Sequence, residues 1–311
     1  MAADAIVALV GGETLLGADV RELIADRLPQ VRTRLIGAQA DDAVILTEEG
    51  GEAAVITGFD AGNLSEAKAV VLAGSADSSR KTMAQLRGST IPVFDLTGGL
   101  EDLPEARLAP EPARVQVVPH PAASTLVALL RTLHAAHTVQ RMVAMVLAPA
   151  SELGRAGVAE LQKQTTQIFS FQPLEKVIFP DQLAFNVLAG SLGETEARIE
   201  KHVASLLGRT PDVPMPSIRL IQAPVMHGYS FSIWVQLGSR DGVTQTLESG
   251  GFDVWTDDPP HVVGVAGQSG MSIGAIQEDR NDRAGVWLWV VADQFRVAAG
   301  QCVSLLGAAL A

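Results

Sequence analysis

A single cysteine among 311 residues, Cys302, cannot form an internal disulfide, and no Cys/His cluster has zinc-ligand spacing. A reducing, cytoplasmic setting is the expectation. Positive charge is also scarce: 23 Lys and Arg against 35 Asp and Glu leave a net charge of −12, which repels a nucleic-acid backbone or an anionic membrane surface. No apolar run approaches the roughly 20 residues that span a bilayer. The opening Met1-Ala2-Ala3-Asp4 has no basic residue and puts an acid before a very short apolar core, so Ala5 to Val10 reads as a buried strand rather than a signal peptide. The six histidines are scattered.

What is plentiful is Ala, Gly and Val in short runs. Ile6 to Val10 ends in Gly11-Gly12, and Leu16, Val20, Leu23, Ile24 and Leu28 follow at helical spacing, which gives strand, glycine turn and helix. Apolar runs at 34–36, 53–56, 69–72, 91–94 and 115–118 predict the further strands of a mostly parallel sheet. Two Pro-rich stretches, 103–112 and 119–121, close this α/β, Rossmann-like domain at residue 122, before a helix over about 124–134. Beyond Met142 the pattern changes. Strands are expected at 143–147, 217–221, 229–237 and 286–291, with helices at 158–169 and 194–207, an α+β domain of residues 123–293. An Ala-rich helix over 294–310 is expected to pack back onto the first domain, to which residues 294–311 are assigned. Trp234, Trp255, Trp287 and Trp289 are expected in sheet-face packing or at an interface.

The turn Gly11, Gly12, Glu13, Thr14, Leu15, Leu16, Gly17 has the context that a phosphate cradle needs. Its candidate cofactor contacts are Gly11, Gly12, Thr14, Leu15 and Gly17. Thr14 stands where a dinucleotide fingerprint has its middle glycine, and Glu13 adds a negative charge beside the phosphate position. Two readings stay open, weak nucleotide binding and a strand-to-helix turn alone. Gln39, Asp41 and Asp42 follow the second strand with no arginine between Arg34 and Arg80, so a dinucleotide, if one binds, would be NAD rather than NADP, and a solvated acidic loop is the other reading.

Four blocks carry a family likeness. Pro119-His120-Pro121-Ala122-Ala123-Ser124-Thr125 resembles the Pro-Asn-Pro-Asn-Cys-Ser-Thr segment of aspartate-semialdehyde dehydrogenases, with Ala123 in place of the nucleophilic cysteine. Ser151-Glu152-Leu153-Gly154-Arg155-Ala156-Gly157 is similar to that family's Ser-Gly-x-Gly-x-x-Gly segment. Phe179-Pro180-Asp181-Gln182-Leu183-Ala184-Phe185-Asn186-Val187 matches its Phe-Pro-x-Gln-Ile-Ala-Phe-Asn-Val, and Leu288 to Arg296 matches a fourth block. Within the family the chain looks most like the Usg-type non-catalytic paralogues. The resemblance implies a homodimer formed through the second domain.

It also implies which chemistry is gone. In the family's Arg-x-Pro-Val-x-x-Gly-His segment the arginine grips a carboxylate and the histidine is the general acid–base. Here Gln222 and Tyr229 take those positions. A glutamine cannot supply a charged bidentate clamp, and a phenol with an ordinary pKa near 10 is a poor base. Glu101 stands at the phosphate-binding arginine of the segment that begins at Asp95, and His202 aligns with a helical glutamate. The implied protein is a catalytically inactive, dimeric binding or regulatory homologue. The alternative is an NAD(P)-dependent oxidoreductase that works without a cysteine nucleophile, drawing acid–base chemistry from Tyr229 or His227. A rearranged site built on His120, His202, His227, Tyr229 and Ser124 is a further possibility, against which Ser124 reads as an N-cap or first-turn residue of the following helix.

Overall fold

The structure is a computed structural model and describes residues 5–38, 45–49, 52–58, 61–64, 66–208, 210 and 212–311. Gln39, Asp41 and Asp42 lie outside the described residues. The chain divides into two compact units, residues 1–119 with 298–311, and residues 120–297.

In the first unit the elements run β1 (Ala5–Val10), α1 (Leu15–Arg27), β2 (Val31–Ile36), β3 (Ile45–Glu49), β4 (Glu52–Ile56), β5 (Ala69–Leu72), α2 (Ala76–Gln85), β6 (Val93–Asp95), β7 (Ala106–Leu108) and β8 (Val115–Val117). Six strands form one parallel sheet in the order β2-β1-β5-β6-β8-β7. The central strands β1 and β5 read as unbroken apolar runs because both faces are covered. Val7 and Leu9 pack on one side with Val20, Ile24, Val71 and Phe94, and Ala8 and Val10 on the other with Ile36, Val70, Leu72 and Val115. The run at 53–56 behaves differently from expectation. It lies in β4, which pairs antiparallel with β3 as a separate two-stranded sheet.

The second unit contains α3 (Pro121–His137), β9 (Val139–Ala148), α4 (Gly154–Phe169), β10 (Leu188–Ala189), α5 (Gly193–Leu207), β11 (Ser217–Gln222), β12 (Tyr229–Leu237), α6 (Val243–Ser249), β13 (Asp253–Val254), β14 (Ser272–Glu278) and β15 (Gly285–Ala292). The last helix, α7 (Gln294–Leu310), starts here and continues into the residues of the first unit. Seven strands form a mixed sheet, β10-β11-β9-β12-β15-β14-β13. Alternation assigns its faces: Met142, Ala144, Val146, Phe231, Ile233 and Val235 are buried, while Val143 and Met145 on β9 and Trp287 on β15 are exposed. Trp234 pairs in register with both Val143 and Trp287, so these side chains share the outer face.

The apolar face of α5 is not exposed. Ile199, Val203, Leu206 and Leu207 are buried within the unit, where α5 packs on α3 and β11. On the sheet the exposed large apolar side chains include Val143, Met145 and Trp287, whereas none lies on α5. Among the described residues no helix is long and apolar enough to cross a membrane.

Candidate functional site

The altered motif positions of the second unit, Ala123, His202, Gln222 and Tyr229, lie around the C-terminal ends of the parallel strands β9 and β11 and the start of α3. His120 is the N-cap of α3: its Nδ1 accepts the Ala122 N–H at 3.2 Å, and Pro121 occupies the first helical position, where a missing N–H costs nothing. Ser124 is a first-turn residue and not the cap. Ala123, in the same turn, is fully buried, so the position implied for a nucleophile holds a methyl group in the core.

Because a backbone N–H can only donate, the His120 Nδ1 lone pair is used and the ring proton sits on Nε2. That Nε2–H faces Glu152 Oε1 at 3.2 Å. The other carboxylate oxygen of Glu152 accepts the hydroxyl of Tyr229. His120 and Tyr229 are 5 % and 1 % exposed, and the Glu152 side chain 14 %. Burial alone would raise the Glu152 carboxyl; the His120 imidazole, the hydrogen bonds from His120 and Tyr229 and the Arg198 guanidinium outweigh it, and the group stays below its ordinary value. Tyr229 moves the other way. Burial, and then the neighbouring Glu152 carboxylate, hold its phenol well above 10, so it is a neutral donor and not a base.

The neighbouring positions are also committed to structure. The Gln222 amide nitrogen donates to the carbonyls of Ala148 at 3.0 Å and Pro149 at 2.8 Å, tying the end of β11 to the end of β9. His202 Nδ1 accepts the His120 N–H at 2.9 Å. Gln294 donates to Ser151 Oγ at 2.6 Å and accepts the Gly228 N–H at 2.7 Å, fastening the turn that precedes Tyr229. His227 stands apart from this cluster, its ring 5.7 Å from that of Phe295. An open cavity of ≈ 840 Å³ lies elsewhere in the unit, between residues 176–181 and 187–191, and none of the altered motif positions lines it.

Glu152 is the central residue that sequence reasoning passed over. The signal was present: a carboxylate stands where the matching motif has a glycine. Its partners were not visible, since they lie 32 and 77 residues away along the chain.

In the first unit the glycine turn has the expected strand-to-helix context, and its backbone is as tight as a phosphate cradle's. Gly11 has φ +87°, and a Cβ on Gly17 would lie 2.1 Å from the Gly11 carbonyl oxygen. Thr14 acts differently from a bulky obstacle. It is the N-cap of α1, its Oγ1 lying 2.9 Å from the Gly11 carbonyl and 2.8 Å from that of Ala73, while accepting the Gly17 N–H at 2.9 Å. Glu13 accepts the Ala38 N–H at 2.8 Å. Two backbone donors at this end of the sheet, the Gly17 and Ala38 N–H groups, are thus already engaged by side chains. In the Asp95 segment, buried Asp95 accepts the Thr97 N–H at 2.9 Å, the Thr97 hydroxyl at 2.6 Å and the Leu100 N–H at 2.9 Å, and Ser79 Oγ on α2 lies 2.8 Å from Thr97 Oγ1; partly buried Glu101 stands at the end of the turn. Cys302 is buried in the core, where desolvation pushes its thiol far above the usual range, so it offers no reactive thiolate.

Comparison with known proteins adds the following. Residues 130–297 match the family described as "Semialdehyde dehydrogenase, dimerisation domain". A USG-1 protein homolog of Pseudomonas aeruginosa is 30 % identical, with 97 % of this chain and 96 % of that protein covered. The solved structure of a probable aspartate-semialdehyde dehydrogenase from Pseudomonas aeruginosa superposes with a TM-score of 0.86 at 28 % identity, covering 98 % of each chain. An aspartate semialdehyde dehydrogenase from Candida albicans, solved with NADP, shares the fold with a TM-score of 0.71 at 14 % identity, again over 98 % of each chain.

Proposed function

The chain belongs to the semialdehyde dehydrogenase family, and from that premise we propose that it is a dimeric homologue of aspartate-semialdehyde dehydrogenase that has lost the reaction and serves a binding or regulatory role. The observation that carries this reading is Ala123, a fully buried methyl at the position where the resemblance puts the nucleophile. Acyl transfer through a thioester needs a lone pair at that point. The surrounding side chains agree with it: Gln222 is spent on two backbone carbonyls, and Tyr229 is held as a donor. Of the two acid–base candidates of the cysteine-free oxidoreductase alternative, the buried Tyr229 phenol with its raised pKa cannot accept a proton, and His227 stands apart from the cluster.

The expected outcome with purified protein is no NAD(P)-linked turnover of aspartate semialdehyde with phosphate, and none from Ala123→Cys. Members of a catalytic unit are strongly non-additive, so one restored nucleophile without clamp or base gains nothing measurable. Turnover by the wild-type chain above buffer background defeats the reading.

Dinucleotide binding belongs to the same proposal and is weak or absent. Thr14→Gly with Glu13→Thr frees the Gly17 and Ala38 N–H groups, so calorimetric titration with NAD and NADP should show affinity rising over wild type, with NAD preferred. Tight wild-type binding that the double substitution leaves unchanged speaks for a working cofactor site.

Dimerisation is assigned to the outer sheet face around Val143, Met145 and Trp287, each more than two-fifths exposed in the single chain. Trp287→Asp places a charge at its centre, and light scattering should report a shift from dimer toward monomer. A wild type that is monomeric across the micromolar range removes this part of the proposal.

A further inference from the structure

Three elements send polar groups to one point in the second unit, the N-cap of α3 with His120, β12 with Tyr229 and the short turn before α4 with Glu152, and the charge of Arg198 on α5 acts on the same carboxyl. Three of these groups are of the kind that hold an anion, a neutral O–H, an imidazole N–H and a guanidinium. The fourth is the anion. A carboxylate taken out of water is costly unless donors replace its hydration, and this one receives a hydrogen bond at each oxygen. The donors are positioned independently of their occupant. His120 is fixed by Ala122 and His202, and Tyr229 by its place in a sheet strand bonded on both sides.

We propose that this cluster is a binding site for a small carboxylate, filled in the wild-type chain by the side chain of Glu152. The inference rests on the non-catalytic reading above, in which no reaction needs these groups free. It adds that the site is closed from within: Glu152 competes at very high effective concentration with any free monocarboxylate, so the wild type binds none measurably.

The test uses acetate and the full-length chain. Glu152→Ala removes the Cγ methylene and the carboxylate, the heavy atoms of an acetate ion, and leaves the phenol O–H and imidazole N–H facing the space. A ligand that binds only the native state raises the melting temperature with concentration. At constant ionic strength, Glu152→Ala should show a saturable rise of several degrees with acetate, with none from chloride or from the neutral isostere acetamide, and the wild type should show none. Adding Tyr229→Phe to Glu152→Ala should weaken the acetate effect roughly tenfold, the size expected for one hydrogen bond to a charged group. If Glu152→Ala is unfolded in plain buffer, acetate should drive its folding, followed by circular dichroism. A variant with no acetate dependence, folded or unfolded, overturns the proposal, as does an equal response in wild type and variant. Turnover by the wild type would instead defeat the non-catalytic reading and leave the acetate result standing.

Discussion

Glu160→Ala is expected to destabilise the second unit by about 3 kcal/mol, a fall in melting temperature of about 6–12 °C. Glu160 lies on α4 and is 4 % exposed, yet among the described residues no cation is paired with it to explain its burial. Its carboxylate accepts three successive backbone N–H groups, Val177 at 2.9 Å, Ile178 at 2.7 Å and Phe179 at 3.1 Å, as well as the Gln164 amide at 3.2 Å. One turn further along, Gln164 accepts the Leu183 and Ala184 N–H groups and donates to the Glu175 carbonyl, and Gln167 accepts the Glu175 N–H. Three polar residues at i, i+4 and i+7 thus supply the hydrogen bonds that a segment without regular structure cannot make for itself. Alanine leaves at least three N–H groups without an acceptor, each costing about 1–3 kcal/mol when kept from water, less what rearrangement recovers. The loss should be local as well as global. Hydrogen exchange at Val177, Ile178 and Phe179 should speed up well before the sheet amides do. Unchanged melting with those three amides still protected would show that the carboxylate is not what holds the segment.

That arrangement marks where sequence reading reached its limit. Period and punctuation located most elements, because Ile6 to Val10 and Ala69 to Leu72 are buried on both faces, and a two-sided burial leaves an apolar run that no helix of that length would show. The β3–β4 pair was misplaced because Ala53 to Ile56 looks like any core strand. The discriminating signal was the two-residue Gly50-Gly51 link between two short runs, which specifies a hairpin. For α4 the expected face was Val158, Leu161 and Ile168, whereas Glu160 and Gln164 are more deeply buried than Val158. A helix that buries polar groups against another segment's backbone hides its inner face from hydrophobic periodicity. The altered motif positions Ala123, Gln222 and Tyr229 were legible because flanking residues kept their register. What replaced the lost contacts was not, because Gln222 turns to carbonyls 73 and 74 residues back, and the Glu152 cluster assembles only when three distant segments meet.

Glu152 also predicts a pH dependence whose sign is fixed by the direction of its shift. Its carboxyl is held below the ordinary value of 4.5 in the folded chain, so the unfolded chain binds the proton more readily. The stabilisation is therefore fully present above that ordinary value and is lost as pH falls through the lower, folded value. Glu152→Gln cannot lose a proton. The stability gap between wild type and this variant, measured by urea unfolding, should be widest near neutral pH and shrink as pH drops below 4.5. Tyr229→Phe acts on the same group from the other side. It removes the hydroxyl donor from a carboxylate that is 14 % exposed, which should cost about 1–3 kcal/mol at neutral pH. It should also move the acid limb to higher pH, because with one donor gone the charged form is less favoured and burial pushes the carboxyl upward. In the double variant Glu152→Gln with Tyr229→Phe, the phenylalanine change should cost less than in the wild-type background, since the bond it breaks is no longer one to a charged group. A Glu152→Gln penalty that is the same at neutral and acid pH would mean that the carboxylate is not ionised in the folded protein. The hydroxyl of Tyr229 would then share a proton-bearing partner, and the cluster would be a neutral network instead of an enclosed anion.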